Sequence, residues 1–586
     1  MENIKSRFFD SVDKNSPLPE YPRPQLVREE WMSLNGQWDY AITSKNSGTP
    51  LQYSGKITVP FAPECSLSGV ERHVTKDELL WYRRGFTVPE AWSGKRIILH
   101  FGAVDWLCQV YINGKEAVSH RGGYNPFSVD ISQYLEDGEN EIVVRVYDPT
   151  DNGSQARGKQ ADKTHGFWYT ATTGIWQTVW LEPVSDCYIK GIKVTPDIDI
   201  DAVNIKTDIY NIPGCTCETV ITFDGEEVFK GETGADTTIT VNGAKLWTPE
   251  TPNLYGLTIR LLKNGEVADT VSSYFGMRKF SITKDADGTP RICLNNKPYF
   301  QRGLLDQGYW PDGGLTPPSD EAMIYDIEKM KDLGFNMLRK HIKVEPARWY
   351  WHCDRLGMLV WQDMPSGGGY VGPIYAGALP NIGIRSIPDN RNYARFKRED
   401  KTSREDYRRE LFEMIDALYN TVSICVWVTF NESWGQFDAR DIGWKTKEYD
   451  PSRLVDHASG WYDEGGPDFV SIHKYIMPVT APKKDPSRPF VLSEYGGYSQ
   501  NIKGHVWNEK KSFGYQMYRS GKTLTKAFVK LHEKQIIPLI KKGLCATVYT
   551  QVSDVEWEVN GLLTYDRQLD KIDADAVRAV NAKLTY

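Results

Sequence analysis

Two glutamates sixty-two positions apart each close an apolar run: Glu432 in Cys425-Val-Trp-Val-Thr-Phe-Asn-Glu432-Ser-Trp-Gly-Gln436, and Glu494 in Pro489-Phe-Val-Leu-Ser-Glu494-Tyr-Gly-Gly497. A β-branched and aromatic run that ends in Asn-Glu or Ser-Glu reads as a buried strand whose last side chains leave the core and face a cleft. Burying a carboxylate costs free energy, so two of them at such places require a reason. The chemistry that uses such a pair is cleavage of a glycosidic bond, with one carboxyl protonating the leaving oxygen while the other attacks the anomeric carbon.

The elements around the two glutamates repeat. Ser319 is placed to cap a helix with apolar positions Met323, Ile327 and Met330, stopped by Gly334 and followed by the strand-like Phe335-Asn-Met-Leu-Arg339. Trp349, Cys353 and Leu356 then lead through Gly357 to Met358-Leu-Val-Trp-Gln-Asp363, and Tyr407, Leu411, Ile415 and Leu418 lead to 422–428. Helix, stop, strand, repeated, is parallel α/β structure. Strand candidates fall near 299–303, 336–341, 358–364, 422–431, 453–458, 469–475, 489–494 and 544–551, which predicts a (β/α)8 TIM barrel over 283–586. Active sites of that fold lie at the C-terminal ends of the strands. Glu432 would end the fourth strand and Glu494 the seventh, with Arg302, Arg339, His341, Asp363, His473, Tyr475, Gln551 and Asp554 at equivalent ends and Trp461 as a pocket-lining aromatic.

Residues before 283 alternate with period two between turns such as Asn113-Gly114, Asp224-Gly225 and Asn264-Gly265. This predicts a β-sandwich over 1–185 and an immunoglobulin-like sandwich over 186–282. A formal charge of -7 without a basic run excludes nucleic-acid and membrane-surface partners as expectations. The charged start Met1–Asp10 and the absence of a long apolar run predict a cytoplasmic protein. Nine scattered cysteines predict free thiols in a reducing compartment. Trp106, Trp176 and Trp180 read as sandwich core.

Several segments together carry a resemblance. Trp81-Tyr-Arg-Arg-Gly-Phe-Thr-Val-Pro89, Val110-Tyr-Ile-Asn-Gly114, Gly122-Gly-Tyr-Asn-Pro-Phe127 and Thr173-Gly-Ile-Trp-Gln-Thr-Val-Trp180 precede Phe335–Arg339, Asn431-Glu432 and Ser493-Glu-Tyr-Gly496 in an order that resembles glycoside hydrolase family 2, which includes β-galactosidases, β-glucuronidases and β-mannosidases. The resemblance implies a jelly-roll sugar-binding-like domain at the N-terminus, and a retaining mechanism with Glu432 as acid/base and Glu494 as nucleophile. It places Arg339 beside Glu494 to keep it ionised, Asn431 at the sugar 2-hydroxyl and Tyr475 near the nucleophile. It implies no cofactor and no metal, a terminal β-glycoside as substrate, and a possible homo-oligomer. An apolar flank such as Trp434, or repulsion from Glu494, is expected to raise the pKa of Glu432.

Specificity follows from departures. Glucuronidases of the family carry Asn-x-Lys to grip the sugar carboxylate, whereas Val559-Asn560-Gly561-Leu562 has leucine in the lysine position, leaving Lys340, Lys343 or Lys474 as substitutes. Leu359-Val-Trp-Gln-Asp363 is similar to β-mannosidases, and Gly561-Leu-Leu-Thr-Tyr-Asp566 with the compact length is similar to small β-galactosidases. Arg339-Lys340-His341 also departs from the family's Arg-x-x-His. The resulting expectation is an exo-acting β-galactosidase-like enzyme, with the insertion 366–395 limiting substrates to a terminal residue. A non-catalytic carbohydrate-binding protein is the alternative of another class, and metal-assisted hydrolysis through His341, Asp363 and His473 is a third.

Overall fold

The computed structural model describes residues 4–586 except Ile212 and Lys484, with Asn381 described by its backbone alone; Met1–Asn3 of the charged N-terminal stretch lie outside the described residues. Strands 55–59, 36–44, 78–87, 139–147, 107–112 and 115–121 form one antiparallel sheet, and 32–33, 179–184, 96–101 and 127–130 form the sheet facing it. Alternating inward residues, among them Trp38, Leu80, Tyr82, Leu99, Val110 and Val144, fill the space between. The turn at Asn113-Gly114 has both residues at positive φ (48° and 76°), the geometry of a tight hairpin. A second sandwich follows, with strands 188–197, 202–210 and 236–240 over 226–233, 215–223, 255–263 and 266–275. Its seven strands match the immunoglobulin-like expectation.

The remainder is a parallel barrel of eight strands: β1 (Gln301–Asp306), β2 (Met337–Lys340), β3 (Leu359–Asp363), β4 (Ile424–Val428), β5 (Leu454–Asp456), β6 (Val470–Lys474), β7 (Phe490–Gly496) and β8 (Leu544–Thr550). The order is β5-β4-β3-β2-β1-β8-β7-β6, so the sheet winds once and leaves one seam between β5 and β6. There Ser471 Oγ donates to Asp456 at 2.8 Å, a side-chain bond across the seam. Met337, Leu359, Trp361, Val426, Val491 and Val548 pack with Phe280, Ile292 and Leu294 from the short strands 280–284 and 290–294 at one end of the barrel. Opposite-facing residues such as Leu304, Leu338, Val360 and Leu492 meet the surrounding helices.

Local signals act as read. Ser319 Oγ accepts from Ala322 N at 3.3 Å to cap helix 320–332, and the apolar positions of the helices 320–332, 347–356 and 401–418 lie against the barrel. One boundary was misplaced. β1 runs from 301 to 306, so Arg302 stands near its start, donating to Gly334 O and Leu584 O, and Asp306 occupies the strand end instead. The insertion packs Val371 and Phe396 against Trp461 and Tyr462, with Tyr462 Oη donating to Tyr375 O at 2.6 Å. All nine cysteines are free. Among the described residues no helix is long and apolar enough to cross a membrane.

Candidate active site

Glu432 sits just past β4, where the chain leaves the sheet. Its N–H donates to Ser459 O at 3.0 Å, and Thr429 Oγ1 donates to His457 O at 3.0 Å, so the loop after β5 fixes the turn. Glu432 and Ser433 both adopt left-handed backbone, φ 47° and 63°, conformations costing on the order of 1–3 kcal/mol each for non-glycine residues. Packing that tolerates this strain aims the carboxyl inward. Glu494 lies within β7. Two residues on, Gly496 has φ 84° and its missing Cβ would stand 2.3 Å from the Tyr549 ring, so only glycine lets the chain turn there.

The two carboxylates meet. One oxygen of Glu432, one of Glu494 and a ring nitrogen of His473 all lie within 4.8 Å of one another. Arg339 organises the acidic side: Nη1 donates to Glu494 Oε1 at 3.0 Å and to Ser493 O at 3.0 Å, Nη2 donates to Asn431 Oδ1 at 2.9 Å, and Nε and Nη2 grip Asp363 at 2.9 Å each. Tyr475 Oη donates to the other oxygen of Glu494, its ring stacked 4.0 Å from Tyr515. With its oxygen held by Arg339, Asn431 must point its Nδ2 elsewhere. That buried donor has no protein partner among the described residues, and neither does Trp461 Nε1, whose ring lies 5.5 Å from His473. Both donors are suited to sugar hydroxyls.

Burial sets the acidity of Glu432. Burial raises Glu432 to about 7; the nearby Glu558 carboxylate adds to this, while the charges of Lys159 and Arg339 oppose it. Of the two causes read from the sequence, an apolar flank or repulsion from Glu494, burial is the one that dominates, and the acidic neighbour that adds to it is Glu558. His473 lies between Glu432 and Glu494, its Nδ1 2.8 Å from Glu432 Oε1 and its Nε2 3.0 Å from Ser459 Oγ and 3.6 Å from Glu494 Oε1. Burial lowers its pKa to about 4, so the ring is neutral near pH 7. A neutral imidazole serves either state of Glu432, accepting at Nδ1 from the protonated acid or donating from Nδ1–H to the carboxylate while Ser459 donates to Nε2. Arg339→Met would strand Asp363 and Glu494 as buried unpaired charges. A stability loss of about 3–5 kcal/mol is expected by denaturant melts, along with collapse of activity.

The other sequence candidates divide. His341 faces Asp363, Nδ1 to Oδ2 at 2.9 Å, and Asp363 is wholly engaged by His341, Arg339 and the Ile342 N–H, so both stand behind the arginine and orient it. Gln551 joins Asn560 and Gln307 at 2.7 Å each, bracing the loop after β8. Asp554 accepts from Lys571 at 2.6 Å and from the Gly561 N–H at 2.8 Å, holding that loop. The metal set read from the sequence does not converge. Among the described residues the donors that do are Glu432, His473 and Glu494, and a cation there would sit beside the buried guanidinium already 3.0 Å from Glu494.

Sequence reasoning missed the contribution of the N-terminal sandwich. Its long segment between strand 139–147 and residue 170 crosses to the barrel: the Arg157 and Gly158 N–H groups donate to Ser366 O at 2.9 and 3.0 Å, Tyr169 Oη donates to Glu558, and Thr170 N–H donates to Glu556 at 2.7 Å. Phe167 stacks on Trp434 (5.9 Å, 9°) and Trp168 lies 5.1 Å from it, making an aromatic wall beside Glu432. The length of that segment, unusual for a sandwich connection, was the available signal.

Models of the three domains described as "Glycosyl hydrolases family 2, sugar binding domain", "Glycosyl hydrolases family 2" and "Glycosyl hydrolases family 2, TIM barrel domain" match residues 31–182, 187–278 and 289–584. The chain belongs to glycosyl hydrolase family 2. Within family 2 it is 29% identical over 57% of its length to a β-galactosidase of Thermoanaerobacter pseudethanolicus, covering 46% of that protein. It is 27% identical over 73% of its length to a putative β-glucuronidase of Formosa agariphila, covering 51% of it. The chain thus spans about half the length of these curated relatives. It is also 24% identical to a β-glucuronidase of Paenibacillus borealis, over 81% of this chain and 84% of that one. The fold is shared with a solved β-D-glucuronidase from Dictyoglomus thermophilum, at TM-score 0.73 and 18% identity over 96% of this chain and 99% of that one. A putative β-galactosidase from Bacteroides fragilis aligns at TM-score 0.70 and 20% identity, over 95% of this chain and 85% of that one.

Proposed function

We propose that this family 2 member is a retaining exo-β-glycosidase that works by double displacement. The observation that carries the reading is that one oxygen of Glu432 and one of Glu494 lie within 4.8 Å of each other, too close to leave room for the attacking water of an inverting enzyme between the carboxyl groups. Retaining enzymes hold their carboxyl groups about 5–5.5 Å apart, whereas inverting enzymes need about 6.5–9.5 Å to admit a water. In the first step Glu494, held by Arg339 and Tyr475, attacks the anomeric carbon while Glu432 passes its proton to the leaving oxygen. In the second, the Glu432 carboxylate takes a proton from water, which attacks the glycosyl ester and frees Glu494. Asn431 Nδ2 donates to the sugar, a bond expected to tighten as oxocarbenium character develops. The aromatic wall of Phe167, Trp168 and Trp434 offers stacking surface for the leaving group. The insertion, packed on the Trp461 flank, supports the exo assignment.

A pKa of about 7 for Glu432 has a signed consequence. The acid is competent while protonated, so kcat/KM should hold below pH 7 and decline as pH rises through about 7. A pH–rate profile with an aryl glycoside checks this, and an acidic form lost near the ordinary carboxyl range would contradict it.

Among sugars, the sequence favours a β-galactoside, with mannoside and glucuronide behind it. Two of the lysines suggested as substitutes for the missing Asn-x-Lys cation are occupied: Lys340 pairs with Asp306 and Glu345 at 2.7 Å each, and Lys343 pairs with Glu345 at 2.8 Å and with two carbonyls. A specific observation nonetheless favours an acidic sugar, and it concerns a different lysine. Side-by-side assay of p-nitrophenyl β-galactoside, β-glucuronide, β-mannoside and β-glucoside tests the whole reading, and hydrolysis of none would overturn it.

A further inference from the structure

We propose that Lys159 is a specificity-determining residue, an ammonium delivered by the N-terminal sandwich to bind an anionic substituent, a carboxylate or a sulfate ester, on the sugar cleaved between Glu432 and Glu494. The inference rests on the glycosidase reading above and adds to it the charge of the substrate.

Lys159 is only 5% exposed, yet its ammonium makes no hydrogen bond and no ion pair within 4.0 Å with any described residue. Burying a cation without a partner is costly, and the other deeply buried lysines of the barrel avoid it. Lys340 and Lys343 are paired as described, and Lys571 donates to Asp554 at 2.6 Å and to Val559 O at 2.8 Å. Around Lys159 stand instead three rings, Tyr169, Phe167 and Trp434, with centroids 5.5, 5.8 and 6.0 Å from Nζ. Trp434 is two residues from Glu432, so the ammonium lies at the wall of the catalytic cleft. Its charge is felt at Glu432, where it opposes the rise in pKa more strongly than Arg339 does.

The backbone holds this placement firmly. Gly158 has φ 62°, and a Cβ there would meet Ile342 O at 2.8 Å, so the chain crosses against the barrel where only glycine fits. Lys159 O accepts from the Tyr169 N–H at 2.9 Å, and the Gln160 side chain is tied to Asp105 and the Thr172 N–H. A simple charge-balancing role fits less well. Glu432 must carry its proton when substrate binds and then offers no charge, and the oxygens of Glu558 accept from Tyr169 and Asn560. Leu562, in the loop after β8, is buried and apolar.

The test compares wild type, Lys159→Met, Lys159→Arg and Lys474→Met on p-nitrophenyl β-glucuronide, β-galactoside 6-sulfate and β-galactoside. Wild type should favour one of the two anionic substrates, and which one identifies the anion. Lys159→Met should lower kcat/KM for it by roughly 10²–10³-fold, mostly through KM, the scale for removing one partner of a buried charge pair. The neutral galactoside should change by less than about threefold at the pH optimum of each variant, Lys159→Arg should recover part of the loss, and Lys474→Met should leave selectivity intact. Removing the charge should also move the basic limb of the pH profile upward on every substrate. Equal losses on all three substrates, selectivity that follows Lys474, or a wild type indifferent to anions would overturn the assignment. Should Lys159→Met fail to fold, competitive inhibition of wild type by glucuronate or galactose 6-sulfate decides: inhibition no stronger than by galactose counts against it. Neutral hydrolysis without anion preference sinks only this inference, whereas no hydrolysis at all sinks the glycosidase reading beneath it.

Discussion

Replacing Glu494 by glutamine is expected to cut kcat by roughly 10⁵–10⁶-fold, the scale seen when a covalent nucleophile is removed. Glutamine keeps the shape of the side chain and can still accept from Arg339, so the fold should survive and sugar binding should persist. The loss therefore reads as chemistry. It would be measured as turnover of an aryl glycoside alongside product inhibition, which should change little. A non-catalytic sugar-binding protein predicts no hydrolysis by wild type in the first place.

Replacing Glu432 by alanine should produce a loss that depends on the leaving group. General acid catalysis contributes about 10²–10⁴-fold, so substrates with poor leaving groups should lose that much. Activated aryl glycosides need little protonation and should form the intermediate at nearly the normal rate. Their turnover should then stall at deglycosylation, where Glu432 acts as base, and added azide should restore it by attacking the glycosyl ester without needing a base. Equal damage to both substrate types without azide rescue would contradict the assigned role. The strained backbone at Glu432 makes glycine a useful second variant, since it removes the carboxyl while relieving φ 47°.

Much of the arrangement was legible because barrel strands carry their own signals. The eight strand candidates are the eight strands found, and Glu432 and Glu494 stand where abrupt ends of apolar runs put them. Arg302 was misplaced because the run from 299 continues through Leu304 and Leu305, and strand boundaries leave little mark in an apolar stretch. The sequence places Asp363 and Asp554 facing sugar, yet both oxygens of Asp363 are engaged by Arg339, His341 and the Ile342 N–H, and Asp554 Oδ1 is engaged by Lys571 and the Gly561 N–H. A strand-end position tells which end of the barrel a side chain occupies, not what it touches. Lys159, Phe167 and Trp168 were invisible for a different reason. They reach the cleft from another domain, and no local periodicity encodes a contact between residues some 270 positions apart.

The central claim is that Glu494 becomes covalently bonded to the sugar while Glu432 handles the proton. Incubation with 2-deoxy-2-fluoro-β-glycosyl fluorides of galactose and glucuronic acid, followed by proteolysis and mass spectrometry, tests it most directly. The 2-fluoro group slows hydrolysis of the intermediate enough to trap it. The account predicts a single fluoroglycosyl adduct on Glu494, retained in Glu432→Ala and absent in Glu494→Gln. An adduct on any other residue, or first-formed product of inverted anomeric configuration, would contradict it.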